Sequence, residues 1–288
     1  MLNEFDLHCH TTESDGTFTP EQVVKKASSK GIKHLAITDH DNINGVKAAI
    51  QAGKKYDVEV IPGVEISIQF EPGTMHICGY FIDPDNEKLR HKLNIVQEAR
   101  RKRNPQIIQK LNELGIEIDL DEVREEAGSS QVGRPNIAKV LLKKGYVENV
   151  QEAFDKYLAK GAACYVNKKR LELQPAIDTI KNSGGVPILA HPVQLGLGNE
   201  EEYIEIFSKL KEKGIIGVEA YSTHHNEEEN KKFYRLASSI DMLITGGSDF
   251  HGSNKPNVHL GEFGEEVKAD LEQFLEYSNS RHTEEIYN

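Results

Sequence analysis

The chain has 288 residues and a formal charge of −11, from 35 Lys plus Arg against 46 Asp plus Glu. That balance excludes a duplex-DNA binder relying on a broad basic face, although bound cations can reverse the field of an acidic cleft and admit a nucleotide or short single strand. No apolar run approaches the roughly 18–20 residues of a membrane span. The start MLNEFDLHCH lacks signal-peptide anatomy, and three scattered cysteines (Cys9, Cys78, Cys164) suit a reducing compartment, so a cytoplasmic protein is expected.

Short apolar runs alternate with amphipathic helical stretches. Leu2–Leu7 reads as a strand, and Thr19-Pro20 supplies an N-cap and a first-turn proline for a helix ending near Gly31. Leu35–Thr38 reads as a second strand, Val46–Lys55 as a helix, and Val58–Ile68 as a strand broken at Pro62-Gly63. After the Pro72-Gly73 turn, Met75–Ile82 is a further strand. The alternation resumes with helix Gln174–Asn182, strand Val186–Ala190, helix Glu200–Lys213, strand Ile216–Ala220, helix Glu227–Ser239 and strand Met242–Thr245. This order predicts an α/β fold on a mostly parallel sheet, open or closed.

Residues 86–164 break the rhythm and read as helices throughout: Glu87–Lys110, Leu120–Glu126, Pro135–Lys144 and Val150–Leu158. They are expected to form a helical insert capping one face of a body made of residues 1–85 and 165–288, because a structureless connection of that length is improbable. The charged tail after Glu265 is expected to close the chain with a helix that frays.

Histidines and carboxylates gather just past the predicted strands. His8, His10 and Asp15 follow strand one, His40 strand two and Glu65 strand three; His76 opens the next strand, His191 ends ILAHP, and Asp249 and His251 lie in GSDFHG. Strand ends on the carboxyl side are where α/β sheets and barrels place their sites. Two imidazoles two residues apart, as in His8-Cys9-His10, point to one side of an extended chain, and Cys9 between them should face away into packing. Six imidazoles and three carboxylates exceed the needs of one ion and suit two or three divalent cations, with Glu65 able to bridge two of them. Nitrogen and oxygen donors without thiolate favour Zn, Mn or Fe over Mg or Ca. A lone histidine at a strand end is more often a capped or surface residue; the convergence of nine positions carries the reading.

DLHCHTTESDG, LAITDHD, IPGVEIS, ILAHP and GSDFHG resemble the motifs of the PHP family (polymerase and histidinol phosphatase domains), in family order and over nearly the whole chain. The resemblance implies a distorted (β/α)7 barrel with a trinuclear metal centre and phosphoester hydrolysis. It would give one ion to His8, His10, Glu65 and Asp249, a second to Glu65, His76 and His191, and a third to Asp15, His40 and His251. The insert, in QEARRKRNPQIIQKLNELG, VGRPNIAKVLLKKGY and EAFDKYLAKGAACYV, resembles that of small stand-alone PHP phosphoesterases. That branch acts on AMP-like nucleotides, nucleoside 3′,5′-bisphosphates and, in some members, RNA from its 5′ end. Asn136 departs from the branch, whose Gly-Arg-Pro-His motif has a histidine there; an asparagine could keep a neutral hydrogen bond to substrate but not a cation.

No Ser/His/Asp arrangement or Walker loop is visible. The expected nucleophile is therefore a metal-bridging water held by Glu65 and its neighbouring ligands, attacking phosphorus in line. His224 in YSTHH is a candidate acid for the leaving oxygen; alternatively it starts the next helix with His225. Arg134, ahead of a proline-started helix, is a candidate bidentate phosphate clamp. Arg103 and Arg100, one helical turn apart, either line the cleft or form a solvated basic face. Asp39 and Asp41 either orient imidazoles or cap a turn. The expected activity is a metal-dependent phosphomonoesterase acting on nucleotides, with trimming of short RNA 5′ ends as an extension. The alternatives are a histidinol-phosphate phosphatase, which the insert disfavours, and a metal-stabilised binding module without activity. An acidic chain without tryptophan has little to offer long RNA.

Overall fold

The computed structural model describes residues 2–128, 132–167, 170–264, 267 and 269–276. Seven strands follow one another round a single sheet in sequence order: β1 (Phe5–Asp6), β2 (His34–Ile37), β3 (Glu59–Ile68), β4 (Met75–Tyr80), β5 (Val186–Leu189), β6 (Gly217–Ser222) and β7 (Leu243–Gly247). Pairing is parallel except on both sides of β4, which runs against β3 and β5. A parallel bridge between Cys9 and Phe250, with His10 N donating to Phe250 O at 2.9 Å, brings the last strand back to the first. The result is a nearly closed, distorted barrel.

The helices on its outside form for the reasons their sequences give. Thr19 and Gln22 make a reciprocal capping box ahead of Pro20, starting α1 (Pro20–Ser29), whose Val23, Val24 and Ala27 are buried. α1 and α2 (Val46–Tyr56) share one core with β2, while α7 (Leu173–Lys181), α8 (Glu200–Lys213) and α9 (Glu227–Ser238) share the main barrel core.

Two strand expectations need correction. β3 is continuous through Pro62 and Gly63: its first four residues pair with β2 as far as Pro62, and from Gly63 onward it pairs with β4. The Pro-Gly step marks a change of partner, not a break. β1 is only two residues long, because Asp6 substitutes for a longer ladder, accepting from the backbone N–H of His8, Ser248 and Gly261.

Between β4 and α7 the chain forms α3 (Glu87–Glu113), α4 (Leu120–Ala127), α5 (Arg134–Lys143) and α6 (Val150–Ala153), the last running on into a π-type turn at Phe154–Leu158. These helices bury a core of their own, centred on Ile107, Leu111, Val123, Ile137, Leu141 and Leu158. In the tail, residues 271–276 are helical; the expected frayed end lies outside the described residues. Among the described residues, no helix is long and apolar enough to cross a membrane.

Candidate metal centre

All nine expected ligand positions meet at one end of the barrel. Glu65, fully buried on β3, is the hub. Its Oε1 lies 2.7 Å from His76 Nδ1 and 2.9 Å from His191 Nε2. Its Oε2 lies 2.8 Å from His40 Nδ1, 3.3 Å from His10 Nε2 and 3.4 Å from His8 Nε2. Asp249 Oδ1 faces His10 Nε2 at 3.0 Å and His8 Nε2 at 3.4 Å, and Asp15 Oδ1 is 3.2 Å from His251 Nε2.

Three groups have donor atoms close enough together to hold an ion: His8, His10, Glu65 and Asp249; His40, Glu65 and His76; and His10, Asp15, His40 and His251. The first is the set named from the resemblance. The second has His40 where His191 was named, although His191 also touches Glu65, and the third adds His10.

Backbone geometry aims these side chains. Asp249 and Asp41 sit at φ 53° and 51°, a left-handed conformation that residues with side chains seldom adopt. Gly247 must be a glycine, since a Cβ there would stand 2.4 Å from His8 Cβ and 2.6 Å from its backbone nitrogen. This lets the end of β7 pack directly on the His8 backbone.

A second layer holds these side chains. Asp39 accepts from Thr11 N and Oγ1 (both 2.7 Å) and from Ser14 Oγ (2.5 Å), fixing the loop after His10. Asp41 takes the Ser67 N–H at 3.0 Å and Arg100 Nη2 at 2.7 Å. For Asp39 these bonds fit the turn-capping reading, whereas Asp41 ties β3 to α3. Glu219 on β6 lies 3.0 Å from His8 Nδ1 and accepts from His191 N at 2.7 Å, so it orients two histidines at once. Sequence reasoning passed over Glu219; the available signal was a carboxylate in the buried run Val218–Tyr221.

The charges fit cations. Burial works against ionised carboxyls here, but facing bases outweigh it: His40, His76 and His8 hold Glu65 well below the usual range. Lys255, His251 and His8 do the same for Asp249, and His251 and His40 for Asp15. Burial disfavours the His10 cation too, yet Asp249 and Glu65 raise it to about 10, whereas burial leaves His76 lowered to about 4. His8 Nε2, His10 Nε2, Glu65 Oε2 and Asp249 Oδ1 are buried without a hydrogen bond, and all four belong to the first cluster. Buried polar atoms are rarely left so; their convergence on one point fits a bound cation.

A cavity of about 250 Å³ opens above this cluster, between the barrel end and the cap. Asn136 lines it and is 5% exposed, with Oδ1 accepting from Gly133 N at 2.9 Å; among the described residues its amide nitrogen makes no such bond. The two arginine expectations fare differently. Arg134 does not line the cavity: its guanidinium donates to Leu158 O at 2.7 Å and lies against the rings of Phe154 and Tyr165. The carbonyl at the end of the π-type turn and two flat rings hold it away from the cavity lining. Arg103 is buried inside the cap, 5% exposed, where burial and then Arg100 and Arg134 lower it to about 10. Arg100 lines the cavity, tied to Asp41. His224 Nε2 stands 2.6 Å from Asp249 Oδ2, and His225 is a buried core histidine bonded to Ala220 O at 3.1 Å.

Known proteins resemble this chain in sequence and fold. The PHP domain model matches residues 6–176. A 5′-3′ exoribonuclease of Haemophilus influenzae is 33% identical over 87% of this chain and 91% of its own length. A 3′,5′-nucleoside bisphosphate phosphatase of Chromobacterium violaceum is 31% identical over 90% and 91%. A solved amidohydrolase structure from Chromobacterium violaceum, holding sulfate, superposes with a TM-score of 0.85 at 28% identity over 96% of each chain. With the domain model matching more than half of the chain, and relatives above 30% identity aligned over most of it, the chain belongs to the PHP domain family.

Proposed function

We propose that the protein is a metal-dependent phosphoesterase that releases phosphate from nucleotide monoesters, with two or three divalent ions (Mn, Zn or Fe) held by His8, His10, Asp15, His40, Glu65, His76, His191, Asp249 and His251. The observation that carries this is the set of buried, unbonded donor atoms around Glu65 and Asp249 beneath an open cavity. Divalent cations bound there would activate water and neutralise charge on the phosphoryl oxygens.

The chain's own groups do the rest. Glu65 and Asp249 hold the histidine rings in one cluster, and Glu219 fixes the orientation of His8. His224, with Nε2 on Asp249 Oδ2, is assigned the proton for the leaving oxygen. The Asn136 amide offers a neutral donor from the cap. The cap over the mouth suits a nucleotide or short oligonucleotide end, in line with relatives named for a nucleoside bisphosphate and for RNA.

The test is phosphate release by Mn-loaded protein from adenosine 3′,5′-bisphosphate, AMP and histidinol phosphate. Turnover of the nucleotides is expected. Turnover of histidinol phosphate alone would make the second enzyme reading correct, and no turnover of any ester would leave a binding module.

A further inference from the structure

The displacement of Arg134 from the cavity leaves open which side-chain cations besides the metal cluster meet the substrate's phosphate. Two lysines absent from the sequence reading line the cavity. Lys139, on α5 of the cap, lines the cavity, and its ammonium donates to the neutral Asn254 Oδ1 at 3.1 Å. It has no carboxylate partner among the described residues. Lys255, on the loop after β7, lines the same cavity from the barrel side, donates to Asp249 Oδ2 and lies 3.5 Å from His224 Nε2. Asn254 joins the two sides, since its Nδ2 donates to Asp15 O at 2.7 Å.

Asp249 divides its oxygens: Oδ1 faces His8 and His10, while Oδ2 faces His224 and Lys255. Lys255 is therefore held in place by a group already committed to the cluster, with its ammonium at the cavity wall.

Resting on the phosphoesterase reading, we propose that Lys139 and Lys255 together form the phosphate-recognition pair of this site and select a terminal phosphate dianion over an internal diester. A monoester carries three non-bridging oxygens and two negative charges, enough to accept from both ammonium groups while still facing the metal cluster. A diester has one charge fewer and a second ester arm directed at the lysines. A cap-borne cation and a barrel-borne cation acting on one phosphate also make the cap a working wall of the site.

The test uses full-length, Mn-loaded protein and the variants Lys139→Met, Lys255→Met and their Lys→Arg counterparts, with metal content measured for each. Two readouts are taken: calorimetric binding of inorganic phosphate, and the ratio of kcat/KM for 4-nitrophenyl phosphate to that for bis(4-nitrophenyl) phosphate. Each Met variant should weaken phosphate binding about ten- to a hundredfold, as for loss of a charged hydrogen bond, and lower the monoester-to-diester ratio at unchanged metal content. The Arg variants should recover part of both. Lys143→Met, on the same helix but paired with Glu126, should change neither. Unchanged phosphate binding, or equal losses on both substrates together with lost metal, would overturn the proposal; the latter would reduce Lys255 to a support for Asp249. A wild type that binds phosphate yet cleaves neither ester would sink the phosphoesterase reading, and the binding data alone would then decide the lysine contacts.

Discussion

At the barrel mouth, the candidate ligands leave strand ends and adjoining loops whose positions are pinned by ladder hydrogen bonds and by Asp6, Asp39, Asp41 and Glu219. In the cap, the expected substrate contacts leave helices packed on one another around Ile107, Leu111 and Ile137. There nothing in the backbone decides between a guanidinium facing the cavity and one facing Phe154. Strand topology therefore delivers side chains to a site as a group, whereas helix packing leaves each long side chain to its nearest good partner.

The sharpest way to break this contrast is at its hub. Glu65→Gln leaves a neutral amide among the imidazoles of His8, His10, His40, His76 and His191. Phosphate release should fall by about a thousandfold or more, with a far-ultraviolet circular dichroism spectrum like wild type. Retained activity would mean the cluster is not the reaction centre.

Next comes the supporting layer. Glu219→Gln should weaken metal binding about ten- to a hundredfold, the usual cost of losing an outer-shell partner, as read by titration with a competing chelator. If affinity held, the orienting role assigned to Glu219 would be wrong.

A histidine in the barrel core beside the ligands gives a pH test that needs no metal. Burial is the largest influence on His225 and lowers it to about 4, against about 6.5 in the unfolded chain. The unfolded state therefore binds the extra proton first. His225's stabilisation is complete above pH 6.5 and is lost as pH falls toward 4, amounting to about 2 kcal/mol by pH 5. The stability difference between wild type and His225→Leu, followed by urea unfolding from pH 7 to 5, should shift against wild type by that amount. A pH-independent difference would refute it.

The smallest effect belongs to the cap. Arg134→Met removes one donation to Leu158 O and the contact with two aromatic rings, and should cost about 1–2 kcal/mol of stability in thermal unfolding. A stability equal to wild type would return Arg134 to the list of substrate contacts.

The same contrast explains what could be read in advance. The barrel order and the nine ligand candidates were legible because the carboxyl ends of strands are fixed by topology, and His, Asp and Glu recur there. The partner change at Pro62-Gly63 was not, because a Pro-Gly pair reads as a break unless the strand on each side is known. Glu219 was hidden by its apolar neighbours, and Lys139 and Lys255 by being ordinary lysines on a helix and a loop until Asn254 and Asp249 show what holds them. Arg134 was misplaced because its motif says where its Cα lies, not which acceptor its side chain reaches.

The most direct trial of the metal centre is an anomalous-difference map from crystals grown with manganese. The account predicts at least two peaks bounded by Glu65, Asp249 and the surrounding imidazole nitrogens, one of them touching His8 and His10 together. Peaks located elsewhere on the molecule, or none above background at saturating manganese, would contradict it.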